Sequence, residues 1–335
     1  MAKRIGTSTI AFDRPPYITS HAAVVGTKEG NGPLKGTFDL VSSDTHFGQK
    51  TWELAEARMQ RLAIDKAVQK AGLSTNDLDL ILSGDLLNQC VSSSLASVST
   101  GVPFAGLYGA CSTMAEGLAL GACLFDGGAA DTLLAAASSH FCSAERQYRF
   151  PLAYGGQRTP TAQWTATAAG AAVLSAAQSK VRITHAVLGR MVDMGVKDAN
   201  NMGAAMAPSA YDTLSRLFRD LGAAPTDFDR ILTGDLARAG GDLLAELFRR
   251  DGVDITPTYG DCGSMLYNPS QDVHAGGSGC GCSAAVLCGH ILREMEARRL
   301  KRVVLAGTGA LMSPISLQQG QSIAGVCHAV VLEGV

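Results

Sequence analysis

One pattern restricts the fold of this 335-residue chain more than any other: the chain says nearly the same thing twice. The stretch DLDLILSGDLL begins at Asp77 and DFDRILTGDLA at Asp227. Without a gap, Gly72 falls on Gly222, Asp79 on Asp229, Ile81 on Ile231, Gly84 on Gly234 and Asp85 on Asp235. A second register follows in the same order. GACSTMAEGLALGACLFDGGAADTLLAA from Gly109 lies over CGCSAAVLCGHILREMEARRLKRVVLAG from Cys280, which places Cys111 on Cys282 and Asp131 on Arg302. Each recurring block reads as one helix-and-strand unit, so the chain is expected to consist of two related halves. Two copies are too few for a solenoid, which needs at least three stacked repeats.

The coarse element order supports this. WELAEARMQRLAIDKAVQKAGL from Trp52 carries apolar residues at helical spacing until Gly72 ends it. LDLILSG is a short apolar run of the kind buried between helical layers. TMAEGLALGACLFDGG predicts a helix rich in small residues, ended by Gly127 and Gly128 and followed by the strand TLLAAASS. His140 to Thr161 reads as an irregular insertion, GAAVLSAA closes the half, and a boundary at Gln178 to Lys180 gives halves of 1–178 and 179–335. The second half repeats the order: a helix from Ser209, a strand at Ile231, a helix from Asp242, a loop with Asp261, a helix from Cys282 and the strand RVVLAG. Strands alternating with helices at this spacing mean parallel α/β units.

Only 17% of residues are charged while 46% are apolar, which is little charge to cover a monomer's surface, so a homodimer is expected. A net charge of −2 without a basic run argues against a nucleic-acid partner. MAKRIGTSTIAF lacks the apolar run of a signal peptide, and no apolar stretch reaches the length of a membrane span, so a soluble protein is expected. Nine cysteines without a spaced framework read as reduced thiols.

Cys111 follows the Gly-rich turn YGACSTM and precedes a predicted helix, whose free N–H groups and dipole would lower the thiol pKa and favour an anion nearby. The structural alternative is a small buried thiol. His140 and the insertion's three arginines, Arg146, Arg149 and Arg158, against one glutamate, suit a carboxylate ligand, because guanidinium groups grip carboxylates in a two-pronged fashion. Surface arginines are the alternative. His274 in QDVHAGGSGCGC is either a site residue or a loop histidine bonded locally. Cys262, His274, Cys280 and Cys282 lack the second tight pair of a zinc site, so neither metal nor cofactor is expected.

The paired halves, GACSTMAEGL, AMAPSAYDTLSRLFRDLG and the C-terminal SAAVL resemble the thiolase fold on the branch of ketoacyl synthase III. GACSTMAEGL, PTYGDCGSMLYNPSQDVHAGGSGCGCSA and LAGTGALMSP further resemble the stage V sporulation protein AD family of endospore formers, over nearly the whole chain. The resemblance implies two pseudo-equivalent halves in a five-layer αβαβα arrangement. Condensing enzymes of this kind polarise a thioester carbonyl with a histidine and an asparagine, and those positions are laid on Asp261 and Gly281 here. Neither residue donates to an oxyanion at neutral pH, and losing one such donor costs about 100 to 1,000-fold in rate. The resemblance therefore implies a binding protein rather than an enzyme, with acyl transfer by Cys111 as the alternative. The implied ligand is pyridine-2,6-dicarboxylate (dipicolinic acid), alone or as its calcium chelate, at a site expected to use Cys111, His140, Arg146, Arg149, Asp261 and His274. Also implied are integral SpoVA proteins as partners, peripheral association with the spore inner membrane, and roles in dipicolinate uptake during sporulation and release in germination.

Overall fold

The computed structural model describes residues 2–148 and 157–335. In the first half, β1 (Tyr17–Gly26), β2 (Leu80–Gly84), β3 (Phe104–Gly106), β4 (Thr132–Ser139) and β5 (Ala168–Ser175) form a sheet in the order β3-β2-β4-β5-β1. The second half builds the same sheet, β8-β7-β9-β10-β6, from β6 (Val181–Val187), β7 (Arg230–Thr233), β8 (Tyr259–Asp261), β9 (Arg302–Leu311) and β10 (Ala324–Gly334). In each, three parallel strands are followed by two antiparallel ones. The sheets meet edge to edge only where Arg182 lies opposite Tyr17.

Five layers result because each sheet's strands are apolar on both faces and need helices on both. On the outer face of the first sheet, α1 (Trp52–Lys70) packs Met59, Ile64 and Val68 against Ile81, Leu134 and Val173, with α2 (Val91–Ser97) beside it. On the outer face of the second, α5 (Met202–Leu221) and α6 (Ala237–Arg250) pack Leu214, Leu217 and Phe248 against Ile231, Val304 and Val331. Between the sheets lie α3 (Thr113–Asp126) and α7, which runs from Cys280–Val286 through a π turn, Leu287–Ile291, into Leu292–Glu296. Their Leu118, Ala122, Ala285 and Leu287 share one core with Leu133, Leu174, Leu305 and Leu332. Leu133 faces this middle layer and Leu134 the outer one, the period of two that a doubly covered strand requires. This is a thiolase-like fold.

The two recurring blocks now have physical explanations. Gly72 and Gly222 adopt φ of +70° and +60° and end α1 and α5 in the left-handed conformation that glycine adopts without strain. Asp79 Oδ2 accepts the N–H groups of Asp131 and Thr132 at 2.8 and 2.9 Å, and Asp229 Oδ2 accepts those of Lys301 and Arg302 at 2.6 and 2.9 Å. Asp131 therefore corresponds to Lys301, one residue short of the sequence alignment. Within α7 the π turn holds an extra residue, so the register shifts again. Ala110 (φ +51°) before α3 corresponds to Gly279 (φ +101°) before α7, and Cys111 corresponds to Cys280 rather than to the expected Cys282.

Other boundaries move for local reasons. The helix expected from Ser209 begins at Met202, where the Asn201 side chain accepts from Ala204 N–H at 3.3 Å, and it runs through Pro208. Those expected from Asp242 and Cys282 begin at Ala237 and Cys280. Part of the expected irregular insertion forms α4 (Phe141–Tyr148). All nine cysteines are free thiols, and no described helix is long and apolar enough to cross a membrane.

Candidate functional site

Ala110 turns the chain so that Cys111 stands at the entry to α3, facing the second half. Beside it opens a cavity of about 170 Å³. Met202, Met206 and Met312 of the second half and Leu86 of the first supply its apolar wall; Gln163, Thr165, Asn200 and Ser278 line its polar side. Tyr148 also lines it and donates to the Leu86 carbonyl. The charged lining residue is Glu145, whose Oε1 lies 3.3 Å from Nη2 of Arg158, itself stacked over Trp164. No histidine, lysine or arginine is among the described lining residues.

Cys111 is 8% exposed, and the group that meets its thiol is Asp235, the second residue after β7. Asp235 is fully buried. Its Oδ1 accepts from Thr308 Oγ1 at 2.9 Å, and its Oδ2 accepts from Ser278 Oγ at 3.1 Å and Gly279 N–H at 2.9 Å. Burial raises the Asp235 pKa against these donors and against the Cys111 hydrogen bond. Burial likewise pushes the Cys111 thiol well up, reinforced by the Asp235 charge and by the hydrogen bond that the thiol donates to that carboxylate; Gly279 N–H and Ser278 pull only weakly the other way. The expected lowering of the thiol pKa at the helix start is thus reversed: at neutral pH Cys111 is a protonated donor rather than a thiolate. The nearest donors, Ser278, Gly279 and Thr308, converge on Asp235.

Asp261 ends β8, directly beside Thr233 of β7 in the same sheet. Its Oδ1 accepts from Ala237 and Ser264 N–H at 2.9 and 3.0 Å, and its Oδ2 from Leu236 N–H at 2.8 Å and Thr233 Oγ1 at 2.7 Å. Burial pushes its pKa up to about 6. With its acceptors taken by the turn after β7, Asp261 positions Asp235 and does not itself face Cys111. Gly281 faces the other way from the cavity, because a Cβ there would stand 2.1 Å from the Ala168 carbonyl oxygen.

The remaining expected residues do not gather. His140 is buried, with Nε2–H donating to Thr45 O at 2.8 Å and Nδ1 accepting from Cys142 N–H at 3.1 Å; burial lowers its pKa. Arg146 pairs with Glu53 on the surface. His274 lies 3.5 Å from Asp272 and outside the cavity lining. Arg149 lies outside the described residues. No His, Cys, Asp and Glu group suited to a metal occurs among the described residues. Asp235, Gln163 and Glu145 were missed. The signal for Asp235 was present in the second GD of the repeat, but nothing in the sequence said which residue it would meet.

Comparison with known proteins extends the picture. Residues 6–333 match the family model of stage V sporulation protein AD (SpoVAD). Stage V sporulation protein AD of Bacillus subtilis (strain 168) is 42% identical over 331 residues, covering 99% of this chain and 98% of that protein. Among solved structures, 3-oxoacyl-[acyl-carrier-protein] synthase III from Aquifex aeolicus VF5 is similar over 95% of this chain and 99% of its own, with a TM-score of 0.57 and 15% identity. A histidine-to-aspartate variant of OleA from Xanthomonas campestris is similar over 96% and 99%, with a TM-score of 0.62 and 15% identity. At such identities these structures speak for the fold alone. The full-length family match and the close relative decide the matter: this chain belongs to the stage V sporulation protein AD family.

Proposed function

We propose that this chain is a non-catalytic subunit that holds dipicolinate in the cavity beside Cys111, for uptake during sporulation and release in germination, together with integral SpoVA proteins at the spore inner membrane. The observation that supports the non-catalytic reading is the surroundings of Cys111: its buried thiol faces Asp235, whose charge opposes a thiolate and whose oxygens already accept from Thr308, Ser278 and Gly279, and no histidine stands among the described lining residues to act as the base of an acyl transfer. The cavity has room for one aromatic ring between methionine side chains, with amide and hydroxyl groups for its substituents.

Charge refines the ligand. Among the described lining residues the one charged group is Glu145, already paired with Arg158, so a calcium chelate, whose metal carries the compensating charge, suits this lining better than a bare dianion. Calorimetric titration with dipicolinate, with and without calcium, tests this. Calcium is expected to tighten binding by about tenfold or more, and Ala310→Trp, which fills the cavity from its half-buried rim, is expected to abolish it. No heat with either form, or a stable adduct on Cys111 after incubation with an acyl thioester, would refute the reading.

A homodimer is proposed on the free edge of the first sheet. Strand β3 ends that sheet, and beside it Val98 and Tyr108 are 78% and 67% exposed, with Val91 and Leu95 also exposed. An open strand edge flanked by apolar side chains suits a second copy related by a twofold axis. In sedimentation, wild type is expected as a dimer and Val98→Asp as a folded monomer; a monomeric wild type would overturn the proposal.

A further inference from the structure

In the second half, the N-terminal segment fills a groove between a strand bulge and two helix ends. Thr9, Ile10 and Ala11 pair antiparallel with Val187, Ala186 and His185 of β6. Phe12 N–H donates to Thr184 O at 3.1 Å, where β6 bulges between Ile183 and His185. At the end of α5, Asp220 accepts the N–H groups of Thr7, Ser8 and Thr9 at 2.9, 2.9 and 3.0 Å. At the end of α3, Asp126 accepts the N–H of Arg14 at 2.5 Å. An extended stretch of chain thus lies in the groove with its backbone donors on two carboxylates.

The internal repeat places the same groove in the first half. Strand β1 bulges between Ile18 and Ser20 as β6 does between Ile183 and His185. Lys70 precedes Gly72 in α1 as Asp220 precedes Gly222 in α5, and Glu296 stands before Arg298 (φ +60°) as Asp126 stands before Gly128 (φ +75°). Among the described residues no segment fills this copy. It is a cavity of about 400 Å³ lined by Thr19, Ser20, His21, Lys70, Arg293 and Glu296.

The exchange of Asp220 for Lys70 turns that end of the groove from acidic to basic, while Glu296 keeps the other end acidic as Asp126 does in the filled copy. Lys70 Nζ lies 3.2 Å and Arg293 Nη2 3.1 Å from the same oxygen of Asp39, and the two cations are 40% and 37% exposed against 13% for Asp39. Lys70 also donates to His21 O. Glu296 Oε1 lies 3.1 Å from Nε2 of His21, whose Nδ1 faces the Cys288 carbonyl, and the Glu296 backbone oxygen accepts from Lys180 Nζ at 3.0 Å. Two half-exposed cations sharing one shielded carboxylate leave positive charge facing the opening, which complements acidic side chains. Farther along β1, Val24 to Gly26 already pair with Leu40 to Ser42, so an occupant would be held by side chains and the bulge rather than by a long ladder.

We propose that this open groove is the docking site for an extended acidic segment of a partner protein, lying as residues 7–14 lie in the other half, with its carboxylates on Lys70 and Arg293. The test uses fluorescence anisotropy at low ionic strength with two labelled octapeptides, one alternating threonine with aspartate and the other threonine with asparagine. The acidic peptide is expected to bind at least about tenfold tighter, an advantage lost in about 0.5 M salt. The Lys70→Gln, Arg293→Gln double variant should erase the preference while leaving dipicolinate binding unchanged, which separates this inference from the proposed ligand. Should the double variant fail to fold by circular dichroism, Arg293→Gln alone and photo-crosslinking of the acidic peptide to wild type decide. Labels at Tyr17 to His21, Lys70 or Arg293 to Glu296 support the proposal. Equal affinity for the two peptides, no binding of either, a preference that survives the substitutions, or labels elsewhere would each overturn it.

Discussion

Replacing Gly281 with asparagine is expected to unfold the protein, not to create a condensing enzyme. A Cβ at Gly281 would lie 2.1 Å from Ala168 O, 2.6 Å from Ser139 N and 2.7 Å from Ser139 Oγ. Two of these are backbone atoms of β5 and β4, which are locked in the middle of the first sheet and cannot yield. The start of α7 would have to retreat, carrying with it Gly279, whose N–H sits on Asp235. Overpacking a core costs about 1 to 3 kcal/mol and more where backbone is struck, so Gly281→Ala alone should lower stability by about 3 kcal/mol or more. Denaturant unfolding of Gly281→Ala measures the loss, and soluble yield suffices for Gly281→Asn. An unchanged midpoint for Gly281→Ala would mean that the helix start is not pressed onto β4 and β5, and that this position is open to the cavity after all.

The second large effect concerns Cys111. Its thiolate is disfavoured first by burial and then by Asp235, and the thiolate is the reactive form. Alkylation by iodoacetamide at pH 7, followed by peptide mapping to separate Cys111 from the other thiols, should run at least about tenfold slower than for free cysteine. Its rate should still be climbing above pH 9. Asp235→Asn keeps the side chain's shape and removes its charge. The thiol pKa should then fall toward the ordinary value, and alkylation at pH 7 should speed up by about tenfold for each unit of that fall. Because burial also slows access, the pH at which the rate rises is the diagnostic quantity. A rate equal to that of free cysteine and levelling off below pH 8 would contradict the protonated thiol, and with it the case against acyl transfer.

The two arginine expectations show where charge counting stops. Three arginines and one glutamate between His140 and Thr161 suggested an anion site, yet Arg146 turns outward to Glu53 and Arg158 turns to Glu145. A net charge along a stretch of sequence says nothing about which partner each group takes once the chain has folded, and each of these two has a carboxylate of its own.

What the sequence determined by itself was everything written in local signals. The left-handed glycines Gly72 and Gly222, and the aspartates Asp79 and Asp229 that hold the first N–H groups of β4 and β9, are short-range requirements of a helix end and a strand entry. They recur wherever the unit recurs, so the halves, the α/β alternation, the family and the helix-start position of Cys111 were all legible. The tertiary structure alone decided three things. The π turn of α7 absorbs a residue without leaving a gap in an alignment that still sets cysteine on cysteine, so only the backbone reveals that Cys280 is the counterpart of Cys111. The partner of the Cys111 thiol comes from the other half, and periodicity carries no information about what faces what across a core. The sign of the thiol's pKa shift followed from the same contact: the helix start is a local effect favouring the thiolate, whereas burial and the Asp235 charge exist only once the halves have packed, and they outweigh it.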